Sequence, residues 1–160
     1  QDSAASLDPR MTLGASIREG LDIHRIGDRA AREERVRAML ERVGLPRGLA
    51  ERYPHEISGG QRQRVNIARS LVLEPRLLIA DEPVSALDVS VQAQVLDLLA
   101  ELRAQMGLTM LFVSHDLMVV RDICDSVSVL QAGRVVETAP TERLFRDPAH
   151  PASAALLAAL

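Results

Sequence analysis

Two short stretches carry residue types able to act on an anion. Leu77-Leu78-Ile79-Ala80-Asp81-Glu82 places consecutive carboxylates at the end of an apolar run of strand length. Open α/β folds form their ligand crevice at such strand exits. An Asp there can hold Mg2+ directly or through water, and the adjacent Glu can polarise an attacking water. A solvated strand end is the plain alternative. Consecutive strand side chains point to opposite faces, which disfavours a glycosidase-type carboxylate pair and favours separate roles for Asp81 and Glu82.

Ser58-Gly59-Gly60-Gln61 leads into Arg62-Gln63-Arg64. Two glycines let the backbone approach an anion, and the start of the following helix offers N–H donors and the positive end of a dipole. An ordinary capped helix accounts for the same letters, since Ser is a common N-cap. His55-Glu56 begins like a zinc-protease motif, but Gly59 stands where the second His is required, so that chemistry is set aside. His24 and His150 read as surface or packing residues. Cys124 is the single cysteine; with no second ligand at metal-site spacing it reads as a structural, half-buried thiol. It excludes an internal disulfide framework and fits a reducing compartment.

The elements that position these residues follow from periodicity and punctuation. Residues 1–12 read as loop. Helices are expected around Leu13 to Ile23, about Asp28 to Val43 (with Val36, Met39, Leu40 and Val43 on one face), Gln61 to Leu73, roughly Val89 to Gln105, and Asp116 to Cys124. Gly44 and Gly107 stop two of them. Leu77 to Ala80 and Thr109 to Val113 read as strands covered on both faces. Val127 to Leu130 and Arg134 to Glu137 flank Gln131-Ala132-Gly133 as a hairpin, and the tail, Thr141 to Phe145 and Pro151 to Leu160, forms two small helices. The alternation predicts an α/β fold with a mostly parallel sheet, to which the hairpin adds antiparallel strands.

At 160 residues the chain has length for one domain. It opens on Gln1 with no signal-peptide pattern, and the start reads as a cut. The longest apolar runs fall far short of the ~20 residues of a membrane-spanning helix. Net charge is −3, with basic and acidic residues interspersed, and aromatics make up 2% of the chain. Both features argue against a nucleic-acid footprint or a base-stacking platform. All 19 basic residues are Arg; with no Lys, the chain contains no G-x-x-x-x-G-K-[ST] phosphate loop.

Taken together, these stretches resemble a known family. Ile57-Ser58-Gly59-Gly60-Gln61-Arg62-Gln63-Arg64-Val65-Asn66-Ile67-Ala68-Arg69 is similar to the signature motif of ABC ATPases, and Leu77 to Glu82 to the Walker B strand. Ser85-Ala86-Leu87-Asp88 resembles the D-loop, Val113-Ser114-His115-Asp116 the switch-histidine segment, and Gln1-Asp2 the Q-loop. Ala5 to Thr12, Tyr53-Pro54-His55-Glu56, Pro83 to Ser90 and His150-Pro151 before an Ala/Leu-rich helix resemble importers of oligopeptides, dipeptides and nickel. The resemblance covers essentially all 160 residues.

It implies a P-loop NTPase-like ABC ATPase domain, incomplete for want of the phosphate loop and the adenine-stacking aromatic. Residues 1–12 would be the Q-loop region and 13–73 a helical subdomain with the signature helix. Residues 74–138 would be the Walker B, D-loop and switch-His core, and 139–160 a C-terminal extension. It further implies ATP sandwiched between two such subunits, head to tail. Ser58, Gly59, Gly60 and Gln61 would serve the γ-phosphate in trans, Asp81 and Gln1 would hold Mg2+, and Gln1 would also sense the γ-phosphate while its loop touches the membrane subunit. Glu82 would be the general base, His115 would contact the γ-phosphate, and Asp88 would couple the two sites. Such roles suit phosphoryl transfer, where positioning and charge neutralisation dominate. Implied partners are a second ABC subunit, transmembrane permease subunits and, indirectly, an extracytoplasmic solute-binding protein, at the cytoplasmic face of the cell membrane. Other readings are a non-enzymatic dimerisation or docking fragment, inactive alone, and a soluble non-transport ABC ATPase.

Overall fold

The computed structural model describes residues 6–85 and 87–159. The chain divides into two compact units, residues 1–111 and 112–160.

In the first unit, α1 (Leu13–Ile23) starts at Thr12, whose hydroxyl accepts from the Ala15 N–H at 3.2 Å. Leu13, Ile17 and Leu21, spaced at four residues, form its buried stripe. α2 (Arg29–Arg42) is capped by Asp28, which accepts from the Ala31 N–H at 2.8 Å, and buries Val36, Met39 and Leu40. Two short 3-10 turns follow, Arg47–Glu51 and Pro54–Glu56, which periodicity does not register because each is about one turn long. α3 (Gly59–Leu71) buries Val65, Ile67, Ala68 and Leu71. Its start lies two residues ahead of the expected Gln61, because Ser58 supplies a cap strong enough to hold both glycines in helical conformation.

β1 (Leu77–Asp81) leads through a tight loop to α4 (Val89–Met106), which Gly107 closes in the left-handed conformation, φ 62°. β2 (Thr109–Val113) pairs with β1. The Thr109 N–H donates to the Arg76 carbonyl at 3.0 Å, so both strands begin at the same edge and run the same way. The expectation that these strands are covered on both faces needs correction. Leu78 and Ala80 are buried, whereas Leu77, Ile79 and Leu111 are about half exposed. Strand side chains alternate, and in β1 only the face bearing Leu78 and Ala80 is covered by the described residues.

The second unit contains α5 (Leu117–Ile123), β3 (Ser126–Gln131), β4 (Arg134–Pro140), α6 (Thr141–Arg146) and α7 (Pro151–Leu157). β3 and β4 pair antiparallel from Ser126↔Pro140 to Gln131↔Arg134, with a bulge between Val129 and Leu130. Ala132 and Gly133, at φ 49° and 75°, close the hairpin with the two successive left-handed residues that match strand twist. Among the described residues this hairpin is a separate two-stranded sheet and does not extend β1–β2, a second departure from expectation. Val129, Ala139 and Leu144 form its core, flanked by Val127 and Val136. Cys124, the single cysteine, is partly buried, as expected. Among the described residues no helix is long and apolar enough to cross a membrane.

Candidate functional site

The Ser58 turn is built by reciprocal capping. Ser58 Oγ accepts from the Gln61 N–H at 3.3 Å, and Gln61 Oε1 accepts from the Ser58 N–H at 3.0 Å. This capping box uses the Gln61 side chain and two of the four N–H groups that a helix start leaves without intrahelical acceptors, those of Ser58 and Gln61. The N–H groups of Gly59 and Gly60 belong to the same first turn, where the dipole favours an anion. Ser58 itself is exposed. The turn is braced from below by Arg62, whose Nη1 donates to the carbonyls of Pro54 at 3.3 Å and Ile57 at 3.1 Å.

A second helix start adjoins it. Asp88 caps α4, its Oδ1 accepting from the Val91 N–H at 3.1 Å and the Ser90 hydroxyl at 2.8 Å. The Ser90 hydroxyl first, and the Val91 N–H after it, hold the Asp88 carboxyl below the usual carboxylate range. The two starts touch through Gly60, where a Cβ would lie 2.6 Å from Val91 Cγ1. Gly60 is therefore required for this close approach, its own backbone being helical. The signature-like turn and the D-loop-like turn are thus packed together in the first unit.

Asp81 is the last residue of β1 and is exposed. Glu82 departs from strand geometry, at φ 44°, and its carbonyl accepts from the Ser85 hydroxyl at 3.2 Å. A non-glycine residue in this region costs roughly 1–2 kcal/mol, and the turn it makes sends the two carboxylates on different courses. His115, exposed, belongs to the second unit. It is held between Ser114, whose Oγ accepts from the Asp116 N–H at 3.0 Å, and Asp116, which caps α5 by accepting from Met118 N–H at 3.0 Å. Gln1 lies outside the described residues.

Sequence reasoning did not find Val91 as the residue against which Gly60 must fit, nor the carbonyls that Arg62 secures. Gly60 and Val91 lie far apart in the chain, and such a contact leaves no local signal. His150, read as a surface or packing residue, proves to cap α7, its Nδ1 accepting from the Ala152 N–H at 3.1 Å.

No group of three or more His, Cys, Asp or Glu side chains able to hold a metal occurs among the described residues. Mg2+ asks for less than that, commonly one or two carboxylates completed by water and substrate phosphate. An exposed carboxylate at a strand end, as at Asp81, fits that demand.

A family model described as ABC transporter matches residues 1–85. A Brucella ovis protein whose name makes it a peptide import ATP-binding protein is 58% identical over 160 residues, 100% of this chain and 50% of that relative. The oligopeptide transport ATP-binding protein OppF of Bacillus subtilis is 52% identical over 161 residues, 100% of this chain and 53% of the relative. A Brucella abortus protein named in the same way as the first is 52% identical over 157 residues, 98% of this chain and 47% of its own length. The chain spans about half the length of these curated relatives. With the match extending over more than half of its residues, the chain belongs to the ABC transporter family and carries the α/β fold of that family's ATPase domain.

Proposed function

We propose that this chain is the signature-motif and Walker B part of an ATP-hydrolysing subunit that energises import of peptides. The single observation that carries the reading is the pair of capped helix starts, at Ser58 and Asp88, held together by the fit of Gly60 against Val91. A helix start is a ready anion site, and two adjoining starts in a γ-phosphate-binding family give the turn a substrate. The names of the relatives, which combine peptide import or oligopeptide transport with ATP binding, support the cargo class.

In this reading Ser58, Gly59, Gly60 and Gln61 bind the γ-phosphate of ATP held by a second ABC subunit, head to tail. Asp88 holds the adjoining turn in place and couples the two sites. Asp81 and Gln1 hold Mg2+, which when bound neutralises charge on the phosphates. Glu82 accepts a proton from the attacking water, and His115 donates a hydrogen bond to the γ-phosphate. Positioning of this kind supplies most of the rate in phosphoryl transfer. The domain divisions at residues 1–12, 13–73, 74–138 and 139–160 follow the same assignment. Permease subunits and, through them, a solute-binding protein are the partners, with the ATPase peripheral at the cytoplasmic membrane face.

The test is Glu82→Gln in the full-length protein. Hydrolysis is expected to fall by roughly 10²–10⁴-fold, the usual worth of a general base, with Mg-ATP binding retained. Near-unchanged hydrolysis removes Glu82 from the base role.

A further inference from the structure

α3 carries the phosphate-facing turn at its first residues and Arg69 in its last turn. The Arg69 guanidinium makes two long-range bonds. Nη1 donates to the Ser6 carbonyl at 2.9 Å, and Nη2 to Glu19 Oε2 of α1 at 2.9 Å. Ser6 is followed by Leu7, which is 2% exposed, so the loop is plugged into the first unit at one residue and tied to α3 at the one before it. At its other end the loop is fixed where the Leu13 N–H donates to the Arg52 carbonyl at 2.8 Å. The exposed reach of the loop carries its own short-range ion pair, Asp8–Arg10 at 3.1 Å. Of the bonds between the loop and α3, the Arg69–Ser6 bond is charge-assisted, and such bonds are about twice as strong as neutral ones.

We propose that Arg69 is a positioning residue that couples residues 6–12 to the Ser58 turn, using α3 as a rigid lever. The inference rests on the function proposed above, in which the chain works with permease subunits. From Gly59 to Arg69 the helix spans about 15 Å at 1.5 Å per residue. A helix with its core face buried moves as a unit, so a displacement of Ser6 is delivered through the guanidinium to the far end, where the capped turn sits. Glu19 orients the guanidinium; the bond to the Ser6 carbonyl makes the connection.

The experiment uses the full-length protein assembled with its permease, as wild type, Arg69→Met, Arg69→Lys and Glu19→Gln. Basal and permease-stimulated ATP hydrolysis are measured, together with amide hydrogen exchange at residues 6–12 and 58–61 with and without Mg-ATP. Arg69→Met is expected to lower the permease-stimulated rate about tenfold, within the range found for residues that carry coupling, with basal hydrolysis within twofold of wild type. Protection on adding Mg-ATP should then appear at 58–61 and no longer at 6–12. Arg69→Lys, which keeps a single donor, is expected to fall between, and Glu19→Gln to stay within threefold of wild type. Parallel loss of basal and stimulated rates in Arg69→Met and Arg69→Lys alike, or no loss in either, overturns the inference. Should Arg69→Met fail to fold, a stimulated rate in Arg69→Lys equal to wild type overturns it as well. An inactive wild-type assembly would instead overturn the functional reading.

Discussion

Arg35 and Arg64 cap one another's helices. Arg35, on α2, donates from Nε to the Val72 carbonyl at the end of α3 at 2.7 Å, and Arg64, on α3, donates from Nη1 to the Val43 carbonyl at the end of α2 at 2.9 Å. The two helices therefore run antiparallel, each supplying a cation to the negative end of the other, where it also satisfies a carbonyl left without an intrahelical donor. Gly44 makes room for one of these bonds. It sits at φ 72°, and a Cβ there would lie 2.7 Å from Arg64 Nη1.

Arg35→Met and Arg64→Met each leave a helix-end carbonyl of a buried residue without its charged donor. A loss of about 1–3 kcal/mol apiece is expected, measured by urea unfolding of the full-length protein. The two caps lie at opposite ends of the helix pair, so the double variant should approach the sum. Single losses below about 0.3 kcal/mol, well under that range, would show that water replaces the caps.

Gly60→Ala is expected to disturb the turn through Val91. The methyl cannot fit at 2.6 Å from Cγ1, and Val, being β-branched, has little rotamer freedom to yield. ATP hydrolysis should fall about tenfold or more, on the scale that small misplacements of a catalytic group cost. Val91→Ala should be nearly silent alone and should recover part of the activity when combined with Gly60→Ala. If the double variant is no better than Gly60→Ala, the glycine is needed for approach of the nucleotide and its fit against α4 is incidental.

Glu137 gives the second unit an acid-sensitive staple. The Ser153 hydroxyl beside it, which completes no hydrogen bond of good geometry, and then the hydrogen-bonded Ala149 N–H at 2.9 Å and His150 N–H at 3.0 Å, hold its carboxyl below the usual range. A carboxyl lowered in the folded state adds stability above its unfolded value, near 4.5, and that stability is lost as pH falls through the folded value. Glu137→Gln should therefore melt below wild type at pH 7, with the gap in Tm closing as pH is taken below 4.5. A gap that stays constant down to pH 3 would refute the charge-based account.

Residues 1–160 alone, titrated with Mg-ATP in a calorimeter, should give no saturable heat. The chain has no Lys and so none of the lysine contact that a phosphate loop makes to the β- and γ-phosphates. Clear saturable binding would mean that the Ser58 and Asp81 region holds nucleotide by itself.

Local chemistry made much of this structure legible. α1 and β2 lie where periodicity puts them, and the Ser58 cap and the Gly107 stop could be read from single letters. What escaped was set by partners elsewhere. Gly59 and Gly60 read as loop because glycine disfavours helix interiors, yet the capping box recruits them. Leu77 and Ile79 read as covered because apolar runs usually are, while the faces they occupy depend on what packs there. The arginines of α3 enter the sequence reading only as letters of the signature-like run, and four of their bonds end on backbone carbonyls, at Ser6, Val43, Pro54 and Ile57. A sequence shows that a donor exists, and only the fold decides which carbonyl receives it.

The left-handed backbone at Glu82 sets stability against chemistry at one position. Glycine there would relieve roughly 1–2 kcal/mol of strain, so Glu82→Gly should raise the melting temperature while removing the carboxylate. A screen for thermally robust variants of this protein would enrich that substitution and, on the role proposed here for Glu82, select proteins that have lost their general base.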